Sequence, residues 1–239
     1  MKIAIYGDSF AASNGPTSWT SILKTKFDTT VYALGGSSLF WSYKNFIATY
    51  KNFDTIIFLV TDFGRLYVAD KNIAPAVCNL FCVEHSLKTS PDTSLFNIFN
   101  AAKQYYTYLQ EEEYELSMHY LMIEKIQNLC KESNKKLILV PCMWSSLRPE
   151  FTDTFDSTFC LSDINNKERE HFGVPHEGMF AERKDRLQNH ISDDNNLILA
   201  NIMTDLIEGH QLKVDINNFN HRPDNVEIYY DMEKLKSIK

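Results

Sequence analysis

Lys2-Ile3-Ala4-Ile5-Tyr6-Gly7-Asp8-Ser9 opens the chain with a short apolar run that stops at a glycine and two polar residues. A run of this length, closed by a turn residue, reads as a buried strand. Thr55-Ile56-Ile57-Phe58-Leu59-Val60 shows the pattern more strongly, as a continuous β-branched and aromatic stretch ending in Thr61-Asp62-Phe63-Gly64-Arg65. Two further runs complete the set: Thr30 to Leu34, closed by Gly35-Gly36, and Leu137 to Val140, closed by Pro141. Between the strands lie segments of helical spacing. Ser18 to Phe27 has apolar residues at 19, 22, 23 and 27, and Leu39 to Tyr50 is similar. Residues 96–132 read as two helices, with Glu111-Glu112-Glu113 at the start of the second, where the helix dipole favours negative charge. Residues 190–208 form a last helix on Ile191, Leu197, Ile198, Ala200, Ile202 and Leu206. Strands alternating with helices imply parallel strands joined by right-handed crossovers. The expected fold is α/β, a three-layer α/β/α sandwich around a central parallel sheet.

One domain over residues 1–208 is expected, followed by an extension over 209–239. Two stretches, 65–95 and 145–182, are rich in Asp, Thr, Ser, Asn, Pro and aromatics without sustained periodicity, and read as functional loops inserted in the domain. The extension is polar and charged apart from Val226-Glu227-Ile228-Tyr229-Tyr230, which suits an extra strand, an oligomer contact or an arm. No internal repeat is present.

The 239 residues are 44% hydrophobic and 13% aromatic, enough for a substantial core. A net charge of −7 argues against a general nucleic-acid binder, which needs a basic face for the phosphates. The five cysteines, Cys78, Cys82, Cys130, Cys142 and Cys160, are odd in number and sparse, and read as free thiols. Cys78 and Cys82 sit four apart with no second pair at metal-site spacing, so no zinc site is expected. His171-Phe172-Gly173-Val174-Pro175-His176-Glu177 lacks the helical histidine spacing of a metal motif. Lys2 leads directly into the first strand, without the apolar region of a secretory signal. No stretch approaches the roughly 18 apolar residues of a membrane span. The expectation is a soluble protein without a signal peptide, cytoplasmic in setting, touching neither membrane nor nucleic acid and needing no metal or organic cofactor.

The polar residues that could carry chemistry are all expected at one edge of the sheet. In an open parallel sheet, ligands bind in the crevice at the carboxyl ends of the strands. Ser9 lies just beyond the first strand, at the entrance to a helix. Gly35-Gly36 follows the second, where a glycine allows a backbone N–H to approach a reacting oxygen. Thr61 and Asp62 follow the third, with Arg65 close behind, placed to meet an anionic or polyhydroxy substrate or to form a salt bridge. His190 stands just before the last helix, with Asp185 upstream of it. Trp41, Trp144 and Phe151 are candidate walls for a sugar or acyl group, with core packing the default for Trp41.

This order of motifs resembles the SGNH hydrolases, the GDSL-like esterases and lipases, across most of residues 2–207. Gly7-Asp8-Ser9 looks like the family's first block, which supplies the nucleophile and one oxyanion N–H. Gly36 looks like the second block's glycine, whose N–H is the next donor. Asn189-His190 looks like the last block, carrying the base. The resemblance implies the flavodoxin-like version of the sandwich and hydrolysis of small acyl esters, O-acetyl groups on carbohydrate among them, through a covalent acyl-enzyme on Ser9. Two departures are visible. The third block normally reads Gly-x-Asn-Asp, and Thr61 falls where its Asn donor is expected. The usual Asp-x-x-His would put Asp at Leu187; Asp185 is the nearest upstream carboxylate, with Asp193, Asp194 or a backbone carbonyl as alternatives. A catalytically silent binding or structural module on the same fold is the competing expectation, with oligomerisation through the extension.

Overall fold

The computed structural model describes residues 1–12, 15–143, 154–156, 159–165 and 190–220. Its centre is a parallel sheet of β1 (Lys2–Gly7), β2 (Asp28–Ala33), β3 (Thr55–Val60) and β4 (Lys136–Pro141) in the order β2-β1-β3-β4. β1 pairs with β2 from Lys2↔Asp28 to Gly7↔Ala33, and β3 pairs with β4 from Thr55↔Lys136 to Val60↔Pro141. β2 begins before the expected Thr30 because Asp28 and Thr29 register against Lys2 and Ile3.

Alternation along each strand fills two separate cores, which explains why the strands read as unbroken apolar runs. Ile3 and Ile5, Ile57 and Leu59, Ile138 and Val140 face one side. There they meet α1 (Trp19–Lys26) and α6 (Asp193–Glu208), through Trp19, Leu23, Leu199 and Met203. Ala4 and Tyr6, Ile56, Phe58 and Val60 face the other side. There they meet α2 (Leu39–Thr49) and α5 (Glu112–Glu132), through Phe46, Ile123 and Ile126. These are the three layers expected from the sequence. Tyr6 keeps its hydroxyl satisfied inside the second core by a 2.8 Å hydrogen bond with Thr49 Oγ1.

The stretch 65–95, expected to be irregular, instead contains helix α3 (Leu80–Thr89), capped by Asn79, whose side chain accepts from Cys82 N–H. Val83 and Leu87, one turn apart, pack with Phe99 and Ala102 of α4 (Phe96–Gln104) in a third, smaller core. Polar residues around this short apolar seam hide its period. The Tyr106 hydroxyl closes the unit, accepting from Leu66 N–H at 3.0 Å and donating to the Val77 carbonyl at 2.8 Å. α4 and α5 are the expected pair of helices, and Glu111 caps α5 by accepting from the N–H groups of Glu113 and Tyr114.

The last helix starts at Asp193, not at 190. Ser192 caps it, and His190 has φ 68°, which no helix accommodates. The described residues of the second insertion are packed rather than looped out: Phe155, Phe159, Leu161 and Ile164 enter the first core. Phe155 makes a parallel bridge with Val214, and Val214 and Phe219 bury with it, so the extension begins as part of the domain. Val226–Tyr230 lies outside the described residues.

Trp19 ties α1 to α6 and to the turn after β1. Its indole N–H donates to the Phe10 carbonyl at 2.6 Å, and its backbone N–H donates to Asn196 Oδ1 at 2.9 Å. Trp19→Phe removes the indole donor and opens a cavity in a fully buried site. The expected loss is about 2–4 kcal/mol, read as a lower urea midpoint at unchanged m-value.

Candidate functional site

Ser9 sits on a tight turn built by Asp8. The Asp8 carbonyl accepts from Ala11 and Ala12 N–H, both at 3.0 Å, and Phe10 N–H donates to Asp8 Oδ1 at 3.0 Å. Gly7 lets this turn fold flat against the sheet, since a Cβ there would lie 2.8 Å from Leu59 Cβ. Ser9 is held half-buried at the corner.

The Asp8 carboxylate is fully buried, and charge in that position needs partners. Oδ2 accepts from Thr61 Oγ1 at 2.7 Å and from Arg65 Nη1, also at 2.7 Å. Arg65 Nη1 donates in addition to the Ser37 carbonyl at 3.2 Å. Burial alone would lower the Arg65 pKa; the Asp8 carboxylate, with Asp62 behind it, more than reverses this and raises it. The guanidinium is thus a fixed cation. The exits of β1, β2 and β3 are tied through one ion pair.

The second strand's turn flanks Ser9. Leu34 N–H donates to the Gly7 carbonyl at 3.2 Å and Ser37 N–H to the Leu34 carbonyl at 3.1 Å. A Cβ on Gly35 would lie 3.9 Å from Ser9 Cβ. Gly36 has φ 70°, and a Cβ on it would fall 2.6 Å from Pro75 Cα, so both conformation and space require glycine there.

His190 is exposed, and its ring centroid lies 4.9 Å from that of Phe10, the residue after Ser9. Its position is set from α6. Ile191 is buried, Ser192 caps the helix, and Asn196 Nδ2 donates to the carbonyls of both at 3.0 and 3.1 Å. With Asn196 Oδ1 on Trp19 N–H and the Trp19 indole on the Phe10 carbonyl, a hydrogen-bonded path joins the neighbours of Ser9 and His190.

The structure therefore gathers Ser9, Gly36, Thr61, Arg65 and His190 around the carboxyl end of the sheet. Asp185 lies outside the described residues, as do Trp144, Phe151 and the segment from His171 to Glu177. Asp193 and Asp194 are exposed in the first turn of α6. Thr61 gives its only hydroxyl proton to Asp8, and Arg65 is engaged by Asp8 and Ser37, the salt-bridge alternative for that residue. Asp205, Glu208 and His210 bring ligand atoms within 4.8 Å of one another at the opposite end of α6 from His190. They are surface groups, with Asp205 and His210 already paired at 3.3 Å.

Sequence reading missed the cavity beside Arg65, of about 560 Å³. Phe40 and Tyr43 of α2, Tyr67, Tyr105, and Met118 and His119 of α5 line it. Its walls come from segments far apart in the chain, so no local pattern announces it. Trp41, half-buried on α2, is not among the lining residues. His119 is 1% exposed and its Nε2 has no hydrogen-bond partner; the Ser38 hydroxyl, also buried and unpartnered, lines the same space. Burial pushes the His119 pKa down to about 4 against the opposing charge of Asp62, so the imidazole is neutral at ordinary pH.

No protein-family model matches the chain. A search of curated proteins finds no match. Among solved structures, the chain is similar to an acetyl xylan esterase, AlAXEase, at 16% identity over 87% of this chain and 100% of that one, with a TM-score of 0.33. It is also similar to the psychrotrophic esterase EstA from Pseudoalteromonas sp., in a structure inhibited by monoethylphosphonate. That match has 13% identity over 87% of this chain and 96% of that one, with a TM-score of 0.34. At these scores neither likeness bears on what this chain does.

Arg65→Met strands the Asp8 carboxylate and should cost about 3–5 kcal/mol, whereas Asp8→Asn combined with Arg65→Met should recover much of it. A double-mutant cycle in urea reads the coupling. His119 generates a pH dependence. Its folded pKa lies below the unfolded value of about 6.5, so the unfolded chain binds the proton first and stability is lost as pH falls from there toward about 4. His119→Phe should flatten that part of the stability curve.

Proposed function

We propose that the chain is a serine ester hydrolase of the SGNH type, acting on small acyl esters, with O-acetylated carbohydrate as the substrate class. The observation that carries this reading is the meeting of three distant segments at one sheet edge: Ser9 on its turn, the Gly35-Gly36 turn against it, and His190 over Phe10. His190 takes the proton from Ser9 Oγ as the oxygen attacks the ester carbonyl. The backbone N–H groups of Ser9 and Gly36 stabilise the tetrahedral oxyanion. His190 then returns the proton to the leaving alcohol, and water, activated by the same imidazole, releases the acid. Asp185 is assigned to hold Nδ1–H of His190, with Asp193, Asp194 or a backbone carbonyl as substitutes.

Thr61 is assigned as a third oxyanion donor, and it would add its hydroxyl only by letting go of Asp8. Loss of one such donor costs about 10²–10³ in rate in a studied hydrolase. The cavity beside Arg65 supports the carbohydrate half of the substrate. Its aromatic walls suit the apolar face of a sugar ring, and the unpartnered His119 Nε2 and Ser38 Oγ suit hydroxyl groups. The Thr61–Asp8 bond also favours a second reading, a catalytically silent SGNH-like module that binds such a ligand without cleaving it.

A fluorophosphonate probe separates the two. Labelling of wild type that is abolished in Ser9→Ala and reduced at least tenfold in His190→Ala is the expected result. It should decline as pH falls through the imidazole range near about 6.5. Wild type that stays unlabelled across pH overturns the hydrolase reading in favour of the silent module.

A further inference from the structure

Cys78 and Cys82 take no part in the chemistry above. Both are half-buried, whereas Cys130, Cys142 and Cys160 are buried. Cys78 follows the 3-10 turn Ala74–Val77, and Cys82 lies in the first turn of α3. Asn79 between them is extended, with φ −161° and ψ 171°, so the two side chains meet across a corner of the chain rather than along one helix. Their sulfurs are 3.4 Å apart. A disulfide needs about 2.05 Å, and rotation of half-buried side chains is the motion available to close the gap.

The two sulfurs differ in surroundings. Cys82 lies at the N-terminal turn of a ten-residue helix, where backbone dipoles favour a thiolate. Cys78 Sγ shares its one proton between the Cys82 sulfur and the Pro75 carbonyl, both at 3.4 Å, and the positive charge of Arg65 adds to the effect; together they lower the Cys82 pKa. The same hydrogen bond and burial push the Cys78 thiol well up, keeping it protonated. Cys82 is thus the half-buried sulfur at a helix start, where a thiolate is favoured, and Cys78 is the thiol in contact with it.

We propose that Cys78 and Cys82 form an oxidisable dithiol site for hydroperoxides, in which Cys82 attacks and Cys78 resolves. The Cys82 thiolate attacks the terminal peroxide oxygen. The O–O bond breaks, the leaving oxygen takes a proton as the alcohol or water, and Cys82 becomes a sulfenic acid. Cys78 then loses its proton and attacks the Cys82 sulfur. The S–O bond breaks and the hydroxyl leaves as water. Two thiols and one hydroperoxide give one disulfide, one alcohol and one water.

The test uses the full-length reduced protein and hydrogen peroxide in small excess. It is followed by alkylation of remaining thiols under denaturing conditions and peptide mass mapping. The expected product is a single reversible disulfide joining Cys78 and Cys82, with the mass of two hydrogens lost and the other three cysteines alkylated. Cys78→Ser keeps a hydroxyl donor to the Cys82 sulfur and should stop at a sulfenic acid on Cys82, trapped by dimedone. Cys82→Ser should leave Cys78 alkylatable. An unchanged far-UV spectrum confirms that each variant is folded. Wild type in which Cys78 and Cys82 both stay alkylatable after peroxide overturns the proposal. So does dimedone capture on Cys78 in Cys82→Ser with none on Cys82 in Cys78→Ser. None of these readouts involves Ser9, so the proposal stands or falls apart from the esterase reading.

Discussion

A carboxylate with no exposure to water at the exit of β1 constrains everything around it. An unpaired charge there would carry a desolvation cost of tens of kcal/mol in a fully apolar medium, so Asp8 must be met by a cation and hydrogen-bond donors. Thr61 and Arg65 supply them from the exit of β3, and Arg65 anchors itself on the Ser37 carbonyl at the exit of β2. Ser9 is the next residue after that carboxylate, and Gly36 is the residue before that carbonyl. The geometry of the crevice is thus a by-product of neutralising one buried charge. Thr61 makes the trade visible, because a hydroxyl that could face the crevice is turned inward to Asp8.

The base side of the crevice is fixed by different means. Asn195 and Asn196 are buried amides at the start of α6, where helix formers would be the ordinary choice. Asn196 spans from the Ile191 and Ser192 carbonyls to Trp19 N–H. Asn195 accepts from the Asn220 N–H at 2.8 Å and donates to the Asn220 carbonyl at 2.9 Å. These bonds lock the helix start to α1 and to the beginning of the C-terminal extension. His190, in the left-handed region just upstream, takes its position from the anchored Ile191 and Ser192.

Most of the fold was legible because its strands carry their own signals. Thr55–Val60 is buried on every residue, so a continuous apolar run and a central strand are the same statement. That Ser9 and Gly36 share one edge follows from a related rule: parallel strands put all their carboxyl ends on one side. His190 stands before a helix instead, and its place beside Phe10 depends on Asn196 and Trp19. What stayed hidden depends on partners far away in sequence. Nothing beside Asp8 in the sequence marks it as a buried charge, because its cation stands fifty-seven residues on. α3 hid because its buried seam is short and interleaved with polar residues. His119 hid because nothing local marks a histidine that packs without a partner. The i, i+4 spacing of Cys78 and Cys82 was visible, but the extended Asn79 that turns it into a contact was not.

The third core has a bearing on how this protein can change. It is built from residues 66–106 and shares no buried member with the two cores that clasp the sheet, yet Arg65, Tyr67 and Tyr105 at its margins face the cavity. Most of the cavity wall, however, comes from α2 and α5, where Leu39, Tyr43 and Met122 also pack the second core behind the sheet. Arg65 lines the same space and holds the Asp8 carboxylate. A change of ligand preference therefore draws on the same residues that hold the scaffold, and the two are bound to drift together in sequence.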